Sequence, residues 1–139
     1  MKSVKLDGKS TVRIVDVPEP QPGPGEVVVA TAVSAICGSE LHGYKGGGQE
    51  SGNSGHEAAG VVVKVGENVT GIKVGQRVGA SAVCGCGACS FCARGQYTWC
   101  NSLKFYGNTH AEQFVVAARA CHLLPDDVPW EVGVLISGD

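Results

Sequence analysis

Aromatic side chains are scarce in this sequence of 139 residues, and an excess of basic charge is missing. Three Phe, three Tyr and two Trp are too few for the stacking surfaces that bind single-stranded nucleic acids. Eleven basic and thirteen acidic residues give a formal net charge of −2, so the sequence does not indicate a basic face. We therefore expect no nucleic-acid partner.

Long apolar runs are missing as well. No run approaches the ~20 residues that a membrane-spanning helix needs, so we expect no membrane partner. The N-terminal segment MKSVKLDGKS lacks the apolar centre of a signal peptide. These observations predict a cytoplasmic location.

The length fits one domain, covering residues 1–139. Glycine is abundant, with 21 residues, and it separates short β-branched runs in a way that is typical of tight turns in a small β-domain. Helical patterns are confined to residues 130–136 and, more weakly, 39–44. The sequence therefore predicts a mainly β fold with a short C-terminal helix. The predicted strands are residues 12–17, 26–33, 60–65, 76–82 and 113–118.

Seven cysteines in a chain with no export signal indicate metal binding or catalysis rather than disulfides. Within residues 84–100, four of them have the spacing C-x2-C-x2-C-x7-C, which predicts a closed tetrahedral zinc site. An iron–sulfur cluster is an alternative, although the bacterial ferredoxin spacing is C-x2-C-x2-C-x3-C-P. Cys84 is left over, as a partly buried thiol or an alternate ligand. The four predicted ligands are Cys86, Cys89, Cys92 and Cys100.

This cysteine-rich lobe resembles the structural zinc lobe of the zinc-containing medium-chain alcohol dehydrogenases, a family that includes sorbitol and threonine dehydrogenases. Residues 55–69, which begin Gly-His-Glu, are similar to that family's G-H-E-x-x-G zinc signature. Residues 36–42 resemble its first-ligand motif, C-G-[ST]-D-x-H. The resemblance implies a GroES-like, partly open β-barrel that carries a structural-zinc lobe.

The resemblance also implies roles for residues outside the lobe. Cys37, His56 and Asp139 are the implied ligands of a catalytic zinc, which needs three protein ligands and one open position. Glu57 is implied as a group that supports this site or binds zinc transiently. Glu40 stands where the family has an aspartate that orients the ligand histidine. Ser39 and His42 match the family's proton relay.

The implied activity is that of a zinc-dependent, NAD- or NADP-linked alcohol dehydrogenase, with zinc polarising the oxygen of a small alcohol or polyol during hydride transfer. The complete enzyme is expected to form homo-oligomers. The sequence contains no G-x-G-x-x-G turn, so we expect the nucleotide-binding domain to lie outside this chain and the 139 residues alone to be inactive.

Two other functions stay open at this point. One is a non-catalytic GroES-like module stabilised by zinc, and the other is an iron–sulfur electron carrier. Neither would need Ser39, His42 and the Gly-His-Glu motif, which together indicate an open metal site with a proton path.

Overall fold

Antiparallel strands dominate the structure, a computed structural model that describes residues 1–49 and 54–137. The predicted mainly β fold is confirmed. The strands are β1 (Lys2–Gly8), β2 (Thr11–Asp16), β3 (Glu26–Ala35), β4 (Glu57–Val65), β5 (Arg77–Ala80), β6 (Val83–Cys84), β7 (Lys104–Phe105), β8 (Gln113–Ala117) and β9 (Cys121–Leu123).

Helices in the described residues are short. The α-helices are α1 (Glu40–Lys45), α2 (Ser90–Ala93) and α3 (Trp130–Gly133), and 3-10 turns lie at Tyr97–Trp99, Ala118–Ala120 and Val134–Ser137. None of the helices in the described part of the chain has the length and apolar character that crossing a membrane requires.

A five-stranded antiparallel sheet with the order β8-β3-β4-β5-β9 forms the centre of the domain. Two smaller sheets flank it: the β1–β2 hairpin, and the β6–β7 pair at the base of the cysteine-rich segment. Three consecutive residues of β3, Val27, Val28 and Val29, are fully buried, so both faces of this strand are covered. The core around them consists mainly of β-branched and small side chains, including Val62, Val78, Phe114, Val116 and Ala117.

The pairing of β3 with β4 places the functional segments. Its register shifts between Val28 and Val29 and again between Thr31 and Val33. At the second shift Gly60 lies opposite Thr31, and a Cβ at this position would lie 2.0 Å from the carbonyl oxygen of Ala30. Glycine therefore permits the close approach of the two backbones. Beyond it, the end of β3 lies beside the beginning of β4.

The structure corrects several element boundaries. β1 was not predicted, because Lys2–Gly8 has only two large apolar residues and is held by its pairing with β2. β4 begins at Glu57 rather than at residue 60. The strand predicted at 76–82 ends at Ala80. The helix predicted at 130–136 remains α-helical only to Gly133, a poor helix former, and continues as a 3-10 turn.

Candidate metal centres

Cys37 lies in the connection between β3 and α1. β3 ends at Ala35, and Ala35 pairs with Glu57, the first residue of β4. A chain that leaves β3 at this point must therefore pass close to the beginning of β4. Two hydrogen bonds with Glu40, the first residue of α1, hold the Cys37 backbone. The Cys37 N–H donates to Oε2 of Glu40 at 2.9 Å, and the Cys37 carbonyl accepts from the Glu40 N–H at 3.0 Å.

The potential ligand atoms of Cys37, His56 and Glu57 all lie within 4.8 Å of one another. The three side chains are half-buried, so the cluster is partly open to solvent. A thiolate, an imidazole and a carboxylate suit zinc, and three protein ligands leave a fourth position open. Asp139, which the sequence predicts as a third ligand, lies outside the described residues.

Gly55, which precedes His56, is in the left-handed region with φ of +98°. A Cβ there would lie 2.7 Å from the ring and the backbone nitrogen of His110. Glycine is therefore required where the two segments meet. On the other side, the Ser137 hydroxyl donates to the carbonyl oxygen of His56 at 2.8 Å.

The predicted proton-relay residues lie on α1, beside the cluster. Ser39 immediately precedes the helix, and His42 is its third residue. Both side chains are exposed, and neither belongs to the group of convergent ligand atoms. Their relay role therefore stays a prediction.

Glu40, which stands where the family has an aspartate, contacts a histidine other than His56. Its carboxylate is 4% exposed and contacts His110, with Nε2 lying 3.1 Å from Oε1 and 3.3 Å from Oε2. The second contact has hydrogen-bond geometry. Its third contact is with the Cys37 N–H, so the described contacts of Glu40 bypass the predicted ligand His56.

The four predicted lobe cysteines converge on one point. All four sulfurs lie within 4.8 Å of one another, with Cys86 to Cys92 at 4.0 Å and Cys89 to Cys92 at 3.5 Å. Zn–S bonds of ≈ 2.3 Å in a tetrahedron imply a sulfur–sulfur distance of roughly 3.8 Å. The separations therefore fit a single tetrahedral ion, because thiolates bound to different irons of a cluster would lie further apart.

Backbone N–H groups point at these sulfurs. Ala88 donates to Cys86, Cys92 donates to Cys89, and Cys86 donates to Cys100, at 3.3–3.5 Å. The N–H groups of Ala88 and Cys89 lower the pKa of Cys86 to about 6. The Gly87 N–H acts in the same direction on Cys92, but burial and the neighbouring sulfurs outweigh it and raise that pKa to about 11. Crowded thiols of this kind favour a cation at their centre.

Arg119 supports the lobe and was not singled out by the sequence. Its Nε donates to the Cys84 sulfur at 3.0 Å and to the Gly85 carbonyl at 2.9 Å. Cys84 is buried and lies outside the four-cysteine cluster. Burial, followed by the nearby Cys84, raises the pKa of Cys121 to about 12, so this cysteine remains a thiol at neutral pH.

An aromatic ring and a cavity lie near the cluster of Cys37, His56 and Glu57. The centroid of the exposed Phe105 ring lies 5.8 Å from that of His56, a contact that the spacing of residues along the sequence could not predict. A cavity of about 760 Å³ lies between the β1–β2 hairpin and α1, where Glu40 and His110 line it. Cys37 and His56 do not line this cavity, so it is distinct from the candidate metal site.

Comparisons with known proteins place these features in context. The family model described as an alcohol dehydrogenase GroES-like domain matches residues 23–126. The L-threonine 3-dehydrogenase of Pyrococcus abyssi (strain GE5 / Orsay) is 38% identical over 132 residues, which cover 88% of this chain and 38% of that protein. The sorbitol dehydrogenase of Halalkalibacterium halodurans is 34% identical over 128 residues, covering 87% of this chain and 37% of that protein.

Among solved structures, the short chain alcohol dehydrogenase rspB from E. coli CFT073, complexed with the cofactor NADH, has a TM-score of 0.82 and 33% sequence identity. The similarity covers 97% of this chain and 41% of that chain. The present chain therefore spans about two-fifths of the length of the relatives that it matches.

Proposed function

Because the chain belongs to the alcohol dehydrogenase GroES-like domain family, we propose that it is the zinc-binding catalytic domain of an NAD- or NADP-dependent dehydrogenase. Its substrate is a small alcohol or polyol. The observation that carries the proposal is the convergence of Cys37, His56 and Glu57 within 4.8 Å in a half-buried position. A module that served only for assembly would not need a mixed ligand set with an open side.

The residues present suit the chemistry of this proposal. Cys37 and His56 would hold zinc together with Asp139 as the third ligand, and Glu57 would support the site or bind zinc transiently, so that a fourth position stays open. Zinc bound there would supply a Lewis acid that polarises the substrate oxygen. The Ser39 hydroxyl would accept the substrate proton, and the His42 imidazole would pass it to solvent, which its exposed position allows.

The lobe of Cys86, Cys89, Cys92 and Cys100 would hold a second zinc with a structural role. Four thiolates complete a tetrahedron, so no position remains for a substrate. The separation of tasks follows from the ligand sets: the closed site stabilises the fold, and the open site binds the reacting group.

The nicotinamide cofactor would be bound by residues outside these 139. The sequence has no G-x-G-x-x-G turn, which cradles the pyrophosphate in dinucleotide-binding domains. A nicotinamide must be held about 3–3.5 Å from the reacting carbon. We therefore propose that the 139 residues alone have no dehydrogenase activity.

Ligand substitutions in an enzyme that carries this domain test the proposal. Cys37→Ala and His56→Ala should each reduce alcohol oxidation to near background, because each removes a ligand of the polarising ion. His122→Ala, at an exposed position on β9, is the matched control and should retain activity. Activity that persisted in both ligand variants would overturn the proposal.

Calorimetric titration of NADH into the 139-residue chain tests whether the nucleotide is bound outside these residues. We expect no saturable heat at micromolar concentrations. Saturable binding would mean that the chain contains a nucleotide site of its own, and the proposed location of the cofactor would be wrong.

A further inference from the structure

A chain of buried polar contacts lies behind the candidate metal site. It begins at Ser34, near the end of β3, whose hydroxyl lies 2.8 Å from Nδ1 of His110. It continues from Nε2 of His110 to the Glu40 carboxylate, and it ends at the Cys37 N–H, which donates to Glu40 Oε2 at 2.9 Å. The side chains of His110 and Glu40 are 10% and 4% exposed.

For an ionised Glu40 and a neutral His110 ring, the direction of each hydrogen bond follows from the chemistry of these groups. An ionised carboxylate only accepts hydrogen bonds, so Nε2 of His110 donates to Glu40. In the neutral ring Nδ1 then accepts from the Ser34 hydroxyl. His110 is thus the side chain that donates a hydrogen bond to the buried carboxylate, at Oε2, while its Nε2 also lies 3.1 Å from Oε1, which has no hydrogen-bond partner among the described residues. Without His110, the carboxylate would be a buried charge with only one backbone donor, which is costly.

His110 also reaches the second ligand segment. Its backbone N–H donates to the Ser54 carbonyl at 2.9 Å, and the Thr109 N–H donates to the Gly55 carbonyl at 3.2 Å. The ring lies against Gly55 so closely that a Cβ there would be 2.7 Å from it. Since Gly55 precedes His56, one residue contacts both segments that carry the ligands.

We propose that His110 is a positioning residue that holds Cys37 and His56 at the separation that a shared metal ion needs. It acts on Cys37 through Glu40 and on His56 through Gly55. The inference rests on the proposed function, because it assumes that Cys37 and His56 bind one ion. His110 belongs to no motif in the sequence, and it lies 70 residues from Glu40.

Cobalt titration of the 139-residue chain tests the inference without an activity assay. The lobe is first saturated with zinc, and Co²⁺ is then added while the thiolate-to-cobalt absorption band is followed. The signal of interest is the part of this band that Cys37→Ala removes. His110→Phe should raise the apparent Kd for Co²⁺ by about 10- to 100-fold and weaken or shift the band, since outer partners of metal ligands contribute on this scale.

Three further variants separate a local effect on the metal site from a folding defect. Ser34→Ala removes only the hydroxyl that faces Nδ1 and should raise the Kd by about 2- to 10-fold, the worth of one hydrogen bond. Because both residues belong to one chain of contacts, the double variant should bind cobalt no more weakly than His110→Phe alone. His122→Phe, the matched histidine control, should bind as the wild type does.

The outcomes separate the two hypotheses. If wild type and Cys37→Ala give the same spectrum, the proposed metal site is wrong and the inference falls with it. If the Cys37-dependent band is present but folded His110→Phe binds cobalt within twofold of wild type, only the inference is overturned. Should His110→Phe fail to fold, an unchanged Kd in Ser34→Ala would overturn it equally.

Discussion

The two candidate metal centres differ in how their ligands are assembled. The lobe draws four cysteines from residues 86–100, and backbone N–H groups of the same segment point at the sulfurs. The open site takes Cys37 from one segment and His56 and Glu57 from another, joined by the pairing of β3 with β4. A closed set of ligands from one segment suits a structural site. Ligands that come from two segments leave a coordination position open for a substrate, but their positions depend on residues that are distant in the sequence.

Among the changes that test the difference between the two candidate centres, we expect the largest effect from the loss of one lobe thiolate. Cys89→Ser should remove one tightly bound zinc per chain and lower the thermal midpoint substantially, because structural zinc contributes directly to folding. Cys89 also caps α2 by accepting from the Cys92 N–H, and because a serine hydroxyl can replace this cap, the variant tests the loss of the zinc ligand rather than of the helix start. Elemental analysis and a thermal melt measure both effects.

The control is Cys121→Ser, at a half-buried cysteine outside both clusters, which should keep its full zinc content. An unchanged zinc count in Cys89→Ser would contradict the assignment of the lobe.

Changing the relay residue separates catalysis from metal binding at the open site. In an enzyme carrying this domain, His42→Ala should reduce turnover by at most about 10²–10⁴-fold, because water partly replaces a proton carrier. Its zinc content should match the wild type, since His42 lies outside the ligand cluster. Lys45→Ala, an exposed residue of the same helix, is the control. A variant that lost zinc would identify His42 as a ligand instead.

A smaller effect is expected from the support of the lobe. Arg119→Ala should speed zinc removal by a chelator about tenfold, because the guanidinium holds Gly85 and places positive charge beside a site of four thiolates. Arg94→Ala removes a lobe arginine that stacks on Phe91 and should have little effect. Equal release rates in both variants would show that Arg119 only fills space.

The smallest predicted effect concerns the attachment of the lobe to the central sheet. Oε1 of Glu26, on β3, accepts from Lys104 at 2.5 Å and from the Tyr106 hydroxyl at 3.0 Å. The Lys104 ammonium, followed by the Gly23 N–H and Tyr106, holds the pKa of Glu26 below its ordinary value despite partial burial. Glu26→Gln should cost about 1 kcal/mol at pH 7.

The sign of the pH dependence follows from that lowered pKa. A carboxyl whose pKa is lower in the folded state stabilises the protein above its unfolded pKa, and this contribution is lost as the pH falls through the folded value. Wild type and Glu26→Gln should therefore differ in urea unfolding at pH 7 and converge in acid, below the ordinary range of glutamate. A constant difference at all pH values would exclude this ion pair as the cause.

Sequence patterns were most informative where the structure is local. The cysteine spacing predicted which four thiols converge, and β-branched runs located β2, β3 and β8. The patterns failed where tertiary pairing decides the outcome. β9 has three residues and exists through its pairing with β5, and the link between Glu40 and His110 spans 70 residues. No spacing rule contains such information.

Strand β3 has a consequence for the dynamics of the domain. Its ten residues span about 33 Å, with Glu26 near the base of the lobe at one end and Ala35 beside the open site at the other. The amides of Val27, Val28 and Val29 are buried between two partner strands, so their hydrogen exchange requires opening of the whole sheet. Both candidate metal centres are thus anchored to one segment for which we expect slow exchange, and we expect zinc added to the lobe to slow exchange at β3 as well as within the lobe.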